Sequence, residues 1–182
     1  MNGKINLLSY GIVLISIIAT FTDLTRGKIY NWLTAPSMLI GLILSTSLLG
    51  WEGLLHSLLG ITIGFLIYGS IYLLGAIAAG DVKLLMALGA WGGWHFTVEV
   101  ALLSILLGGA MAVVVLASKG RLIRFINKIY VFILSLFIKE LEIYFPPVDQ
   151  SLRMPFGIAM AIAAIVTLWM HPLNRLGVVF WS

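Results

Sequence analysis

Long runs of apolar residues, separated by short polar stretches, dominate this 182-residue chain. A bilayer core is about 30 Å thick, so a helix that crosses it needs about 20 mostly apolar residues. Continuous apolar runs predict helices, whereas the strands of a membrane barrel show period-two alternation. We therefore predict an all-α, polytopic membrane helix bundle in a single domain. The predicted spans are 5–22, 32–50, 54–79, 82–94, 97–117 and 155–171.

Two segments leave the topology open at this stage. Residues 82–94 would extend only about 20 Å as a helix, so they either cross the membrane or form a re-entrant hairpin. If residues 82–94 cross the membrane, the basic clusters that begin at Arg26 and Lys119 lie on the same side, as the positive-inside rule favours. Residues 92–95 then form the outer turn. Residues 121–145 contain too short an apolar stretch for a span, so we predict an interfacial or re-entrant helix there.

The composition supports a membrane protein, with 61% apolar and 10% charged residues. A water-soluble domain has about 25% charged residues, and a disordered chain lacks so many large apolar side chains. Eleven lysines and arginines against seven acids give a net charge of +4. In a six-span topology, all of these basic residues except Lys4 and Arg175 face the cytoplasm. The excess therefore indicates contact with anionic lipid rather than nucleic acid.

The chain contains no cysteine, which excludes disulfides, thiolate metal sites and cysteine nucleophiles. The three histidines stand singly, without the spacing of a known ligand set. We therefore predict no metal and no cofactor. The histidines are His56, His95 and His171.

Two aspartates at predicted helix ends are the candidates for chemistry. Asp23 follows the first span, and Asp81 opens the fourth span, two crossings later, so both belong at the inner membrane face. Ionisable groups at membrane positions are costly and are candidates for function. If the first and fourth helices pack together, the two carboxylates would share one proton, as in aspartic proteases. One carboxylate would then take a proton from water while the other polarises a peptide carbonyl.

Structural roles for both acids compete with this hypothesis, and spacing alone favours them. Asp81 would serve as a helix N-cap after Gly80, and Asp23 would pair with Arg26 at i+3. Lys83, two residues after Asp81, is predicted to point away from it and to reach the inner surface.

Two other functions also remain open. One is a transporter or channel subunit that uses the two aspartates as ion or proton sites. Their position at one face, and the lack of a visible internal repeat, speak against it. The other is a non-enzymatic assembly subunit of a pilus or secretion apparatus.

Four motifs, in the expected order, resemble those of the type IV prepilin peptidases. Residues 23–31 resemble a D-x5-I-P-N signature, with Tyr30 in place of the proline, and residues 78–85 resemble G-x-G-D-x-K-L, with Ala78 in place of the first glycine. Residues 87–92 and 155–157 also match the pattern of that family. Neither departure removes a carboxylate.

The resemblance implies that Asp23 and Asp81 are the catalytic pair of a membrane aspartyl endopeptidase. It implies a pilin-like precursor as substrate, Flp-type or preflagellin-like, whose basic leader is cut off at the cytoplasmic face of the inner membrane. Larger family members also methylate the new amino terminus and contain a cysteine-bearing insert, so we expect peptidase activity without methylation here. The candidates for substrate binding are Gly80, Lys83, Glu140, Glu142 and Asp149. The three acids among them would attract a basic leader.

Overall fold

The computed structural model describes residues 2–120, 123, 127 and 156–170, and all regular structure in these residues is α-helical. Helices α1, α2 and α3 are each long and apolar enough to span a membrane. The predicted all-helical membrane fold is thereby confirmed. The predicted interfacial helix at 121–145 lies outside the described residues, apart from positions 123 and 127, which are helical. The helices are α1 (Asn2–Arg26), α2 (Asn31–Leu73), α3 (Ala79–Ser118) and α4 (Phe156–Met170).

The chain divides into two compact units, and the boundary falls within α3. The first unit comprises residues 1–107 and 155–182, and every site contact described below lies within it. The second unit comprises residues 108–154. Its described part is the end of α3 together with residues 119, 120, 123 and 127, and Gly120 has φ 63° and donates its N–H to the carbonyl of Ala117.

Helix α2 consists of two halves that fold back on each other at Gly50. Gly50 has φ 68° and ψ −144°, a conformation that only glycine adopts readily. Ser45 and Ser57 lie on opposite sides of this break, and both donate a hydrogen bond to the carbonyl of Ala90. In a continuous helix, twelve residues would separate them by about 18 Å. One carbonyl can accept from both only because the chain reverses between them.

Helix α3 reverses in the same way at Gly93, where φ is 77° and ψ is 179°. The Oγ1 atom of Thr97 lies 2.6 Å from the position that a Cβ atom on Gly89 would occupy. Eight residues of continuous helix would place these positions about 12 Å apart. The chain thus reverses within residues 92–95, where the sequence predicts a turn.

Glycines in left-handed conformations set the two helix ends near the aspartates. Helix α1 continues one turn beyond the predicted end at residue 22, until the N–H of Gly27 (φ 61°) bonds to the carbonyl of Asp23. Helix α2 ends at Leu73, six residues before the predicted end of the third span at residue 79. The reason is a Schellman turn around Gly75 (φ 76°), in which the N–H of Ala76 bonds back to Ile71.

The first half of α3 lies at the centre of the first unit. Most of its residues from 81 to 90 are buried, and several are fully inaccessible. Small residues allow the neighbouring helices to approach closely. Gly60 of α2 meets Gly89 backbone to backbone, and the ring of Trp91 lies against Gly11 of α1 and Gly41 of α2. The helix that carries Asp81 is thus enclosed by α1 and both halves of α2.

The Gly60–Gly89 contact predicts a stability effect. In Gly60→Ala, the added Cβ would meet the carbonyl of Gly89, which cannot move without shifting α3. We expect a loss of about 1–3 kcal/mol, measured as a lower thermal unfolding temperature in detergent. Gly109→Ala is the matched control, because a Cβ there has nothing within 4 Å. Equal unfolding temperatures for the two variants would contradict the close packing described here.

Candidate active site

Asp81 is the third residue of α3 and is 6% exposed. Its Oδ2 atom accepts a hydrogen bond from the N–H of Ala78 at 3.0 Å, and its own N–H donates to the Ala78 carbonyl at 3.0 Å. Asp81 therefore stabilises the helix start from inside the first turn, rather than as the N-cap residue itself. This bond uses one carboxylate oxygen, and Oδ1 accepts no hydrogen bond from any residue that the structure describes.

Asp23 lies half-buried in the last turn of α1. Its Oδ2 atom accepts a hydrogen bond of 2.8 Å from the N–H of Gly157, at the start of α4. A Cβ atom on Gly157 would lie 2.7 Å from this oxygen, so only glycine permits the approach. The alternative pairing with Arg26 does not occur, because Arg26 donates to the hydroxyl of Tyr30 at 3.3 Å and lies over its ring.

The two aspartates lie at the same level of the bundle. Helix α1 runs antiparallel to the first half of α3, since Gly11 contacts Trp91 at one end and Ile29 contacts Gly80 at the other. Measured from the Gly11–Trp91 contact, Asp23 lies about 18 Å along α1 and Asp81 lies about 15 Å along α3. The first and fourth helical segments therefore pack against each other, which is the condition that the shared-proton hypothesis requires.

The motifs around the two aspartates touch each other directly. A Cβ atom on Gly80 would lie 3.1 Å from the Cβ of Ile29, so the segment after α1 packs on the residue before Asp81. The Lys83 Nζ donates to Asn31 Oδ1 at 2.8 Å. This exposed bond links the first turns of α3 to the start of α2, a contact that the prediction of a surface-pointing Lys83 did not include. The role of Asn31 was missed, since a pairing across 52 residues leaves no signal in one sequence.

Tyr68 is a second residue that the sequence did not single out. It is fully buried, its hydroxyl shares a hydrogen bond of 2.5 Å with Ser104, and its ring packs edge-on against Phe156 at 5.9 Å. Phe156 immediately precedes Gly157, whose N–H bonds to Asp23. Tyr68 therefore packs against the residue next to the donor that orients Asp23. A lone tyrosine in an apolar span carries no motif that would have identified it.

Three acidic candidates for substrate binding remain. Glu140, Glu142 and Asp149 lie outside the described residues, and their role stays a prediction. Within residues 2–120 and 156–170, no three His, Cys, Asp or Glu side chains lie together as metal ligands would.

The fold and the site together define an α-helical membrane protein built around a pair of aspartates, each oriented by a backbone N–H. The profile of the type IV leader peptidase family matches residues 10–113, a range that contains both aspartates. The chain belongs to this family.

Curated relatives bear the name prepilin leader peptidase/N-methyltransferase. The protein from Aeromonas hydrophila is 31% identical over 164 residues, which cover 86% of this chain and 47% of the relative. The protein from Stutzerimonas stutzeri is 32% identical, and the match covers 63% of this chain and 40% of the relative. The protein from Pseudomonas aeruginosa is also 32% identical, over 65% of this chain and 41% of the relative. The chain thus spans about half the length of these relatives or less. No solved structure matches the chain.

The Ile29–Gly80 contact predicts a specific cross-link. The double variant Ile29→Cys with Gly80→Cys should form a disulfide under mild oxidation in membranes, because their Cβ atoms lie near the 3.5–4.5 Å that a disulfide spans. The chain has no other cysteine to interfere. Mass spectrometry of proteolytic fragments would identify the link. In the control, Ile29→Cys with Leu55→Cys, the second cysteine lies beyond the Gly50 break. No link in the first pair, or equal linking in both, would contradict the site geometry.

Proposed function

We propose that this protein is an aspartic endopeptidase that removes the leader from type IV pilin-like precursors, with Asp23 and Asp81 as the catalytic residues. The observation that carries this proposal is their placement at one level of the bundle, on two helices that pack antiparallel. Family membership and the names of the curated relatives support the same activity.

The arrangement suits hydrolysis of a peptide bond. Each aspartate uses Oδ2 to accept a backbone N–H, from Gly157 or from Ala78, which fixes the orientation of both carboxyl groups. The two Oδ1 atoms are then available to a water molecule and to the scissile carbonyl. The ionised carboxylate takes a proton from water as the hydroxide attacks the carbonyl carbon, and the protonated partner donates its proton to the carbonyl oxygen. Collapse of the tetrahedral intermediate, with a proton passed to the leaving nitrogen, breaks the C–N bond.

We also propose six membrane crossings, with the aspartates at the cytoplasmic face of the inner membrane. The breaks at Gly50 and Gly93 divide α2 and α3, so the described residues hold six helical segments. Arg26 is the last residue of α1, Lys28 follows it, and Lys83 lies in the first turns of α3, so the positive charge is at the end that carries the aspartates. The positive-inside rule makes this end cytoplasmic. A substrate with a basic leader ahead of an apolar stretch would present its junction at this depth. We propose proteolysis alone for this chain, without methylation of the new amino terminus.

Replacing either catalytic aspartate tests the proposal. Asp23→Asn and Asp81→Asn should each lower the rate of leader removal by at least about a hundredfold, because an amide cannot transfer the proton. Co-expression with a prepilin, with leader loss read by mass, measures the effect. Glu52→Gln is the matched control, since Glu52 is an exposed acid that follows Gly50. Full activity in either Asn variant, with normal insertion, would overturn the assignment.

Gly157 provides a test that leaves both carboxylates in place. In Gly157→Ala the new Cβ would crowd Asp23 Oδ2, so α4 must withdraw and the hydrogen bond to Asp23 lengthens. We expect a loss of about tenfold or more in cleavage rate with an unchanged preference among substrates. Gly109→Ala should retain the wild-type rate in the same assay. A Gly157→Ala variant that cleaves at the wild-type rate would show that the bond to α4 does not orient the catalytic group.

A further inference from the structure

Tyr68, in the second half of α2, contacts two other helical segments. Its hydroxyl lies 2.5 Å from the Oγ atom of Ser104, in the second half of α3, and its ring packs against Phe156, the first residue of α4. Tyr68 and Ser104 are both fully buried. The mechanism proposed above uses neither side chain, so this buried polar contact has no role assigned to it yet.

The hydrogen bond between the two hydroxyls has a defined direction. Ser104 Oγ also bonds to the carbonyls of Val100 and Ala101, which lie one turn earlier in its own helix. A carbonyl only accepts, and a serine hydroxyl has one proton, so this proton is directed to the helix backbone. The Tyr68 hydroxyl is therefore the donor to Ser104. Because a buried hydroxyl that loses its acceptor is costly, Ser104 fixes where the ring of Tyr68 lies.

The ring of Tyr68 contacts the first turn of α4, the same turn that bonds to Asp23. The centroids of the Tyr68 and Phe156 rings are 5.9 Å apart and their planes are inclined by 62°, an edge-on geometry that aromatic pairs favour. The first N–H groups of a helix have no acceptor within it. One of them, the Gly157 N–H, donates to Asp23 Oδ2 at 2.8 Å. The direction of this N–H depends on how the first turn of α4 is held, and the contact with Phe156 restrains that turn.

We propose that Tyr68 is a positioning residue for catalysis, which holds the first turn of α4 so that the Gly157 N–H reaches Asp23. The inference rests on the proposed function and extends it to a residue that acts through its neighbours. Ser104 anchors the hydroxyl, the ring restrains Phe156, and the next residue donates to the carboxylate. A residue that only filled the core would add stability without orienting the Asp23 carboxyl group.

Removing the ring tests the proposal. In Tyr68→Leu the contact with Phe156 is lost, so the first turn of α4 is no longer restrained. We expect kcat for prepilin cleavage to fall at least about tenfold, with KM within about twofold of the wild type, because a catalytic group loses its orientation while substrate binding is retained. Tyr72→Leu is the matched control, since Tyr72 lies one turn later in α2 and is 46% exposed, and it should keep the wild-type kcat. An unchanged kcat in Tyr68→Leu would overturn the proposal.

The direction of the hydrogen bond predicts an asymmetry between two milder variants. Tyr68→Phe keeps the ring and leaves Ser104 bonded to its own helix, so kcat should stay within about twofold of the wild type. Ser104→Ala leaves the buried tyrosine hydroxyl without its acceptor, so the ring must move, and we expect kcat to fall about fivefold. Adding Tyr68→Phe to Ser104→Ala should recover most of that loss. A Tyr68→Phe variant as slow as Tyr68→Leu, or a Ser104→Ala variant with the wild-type kcat, would contradict the roles given to ring and anchor.

Cross-linking measures the position of α4 without turnover. A Cβ atom on Gly157 would lie 3.2 Å from the Cβ of Asp23, so Asp23→Cys with Gly157→Cys should form a disulfide under mild oxidation. Adding Tyr68→Leu should slow this reaction at least about threefold. The disulfide between Ile29→Cys and Gly80→Cys is the control, and it should form at the same rate with or without the ring. If loss of the ring leaves both rates unchanged, Tyr68 does not hold α4 at Asp23.

Combined variants distinguish positioning from a general loss of stability. Gly157→Ala already disrupts the bond to Asp23, so adding Tyr68→Leu should lower kcat by no more than about a further twofold. Ile12→Ala is the comparison, because it removes a buried side chain about 16 Å from Asp23 along α1 and lowers the unfolding temperature. Its effect on kcat should be the same with and without Gly157→Ala. Full multiplication of the Tyr68→Leu and Gly157→Ala losses would overturn the proposal.

The outcomes separate this inference from the proposed function. Wild-type protein that leaves every prepilin uncut overturns the proposed function, and the catalytic role of Tyr68 with it. Wild-type protein that cleaves, together with a folded Tyr68→Leu variant that cleaves equally fast, overturns the role of Tyr68 alone.

Discussion

The close approach of two helix backbones at Gly60 and Gly89 is the constraint on which the rest of the first unit depends. In a membrane, helices gain little from the hydrophobic effect, so close van der Waals contact between small residues must hold them together. Here that contact lets the first half of α3 lie between both halves of α2, with α1 against Trp91. Asp81 is buried because it begins this central helix, so the packing far from the carboxylate sets its environment.

The structural and catalytic interpretations of the two aspartates are compatible. Asp81 does stabilise a helix start, through the N–H of Ala78, and Asp23 does belong to a helix end. Each bond to Oδ2 satisfies a backbone donor near a helix terminus and also fixes the plane of the carboxyl group. A group held in this way needs little reorganisation when substrate arrives, which is what catalysis by oriented groups requires.

The sequence predicted the features that depend on local chemistry. The continuous apolar runs predicted an all-helical fold. The chain reverses at Gly50 and Gly93, where polar or aromatic residues interrupt those runs. Two predicted crossings separate Asp23 from Asp81, so the sequence alone predicts both at the same membrane face. The end of α2 was misplaced because the stretch from Leu74 to Ala79 is as apolar as a helix interior, and only the left-handed backbone of Gly75 ends it.

Long-range contacts could not be predicted from one sequence. Lys83 pairs with Asn31, Tyr68 supports Phe156, and Gly157 bonds to Asp23, and each pair is far apart along the chain. None has a spacing rule, since the partners meet only after the helices pack.

The bond between Asp23 and Gly157 spans 134 residues, and this separation has a consequence for biosynthesis. The ribosome delivers α1 to the membrane first and α4 only much later. A nascent chain therefore carries both carboxylates well before it carries the amide that fixes one of them. Ordering of the aspartate pair is thus tied to insertion of the later helix, and partly synthesised chains in the membrane would hold Asp23 without its backbone donor.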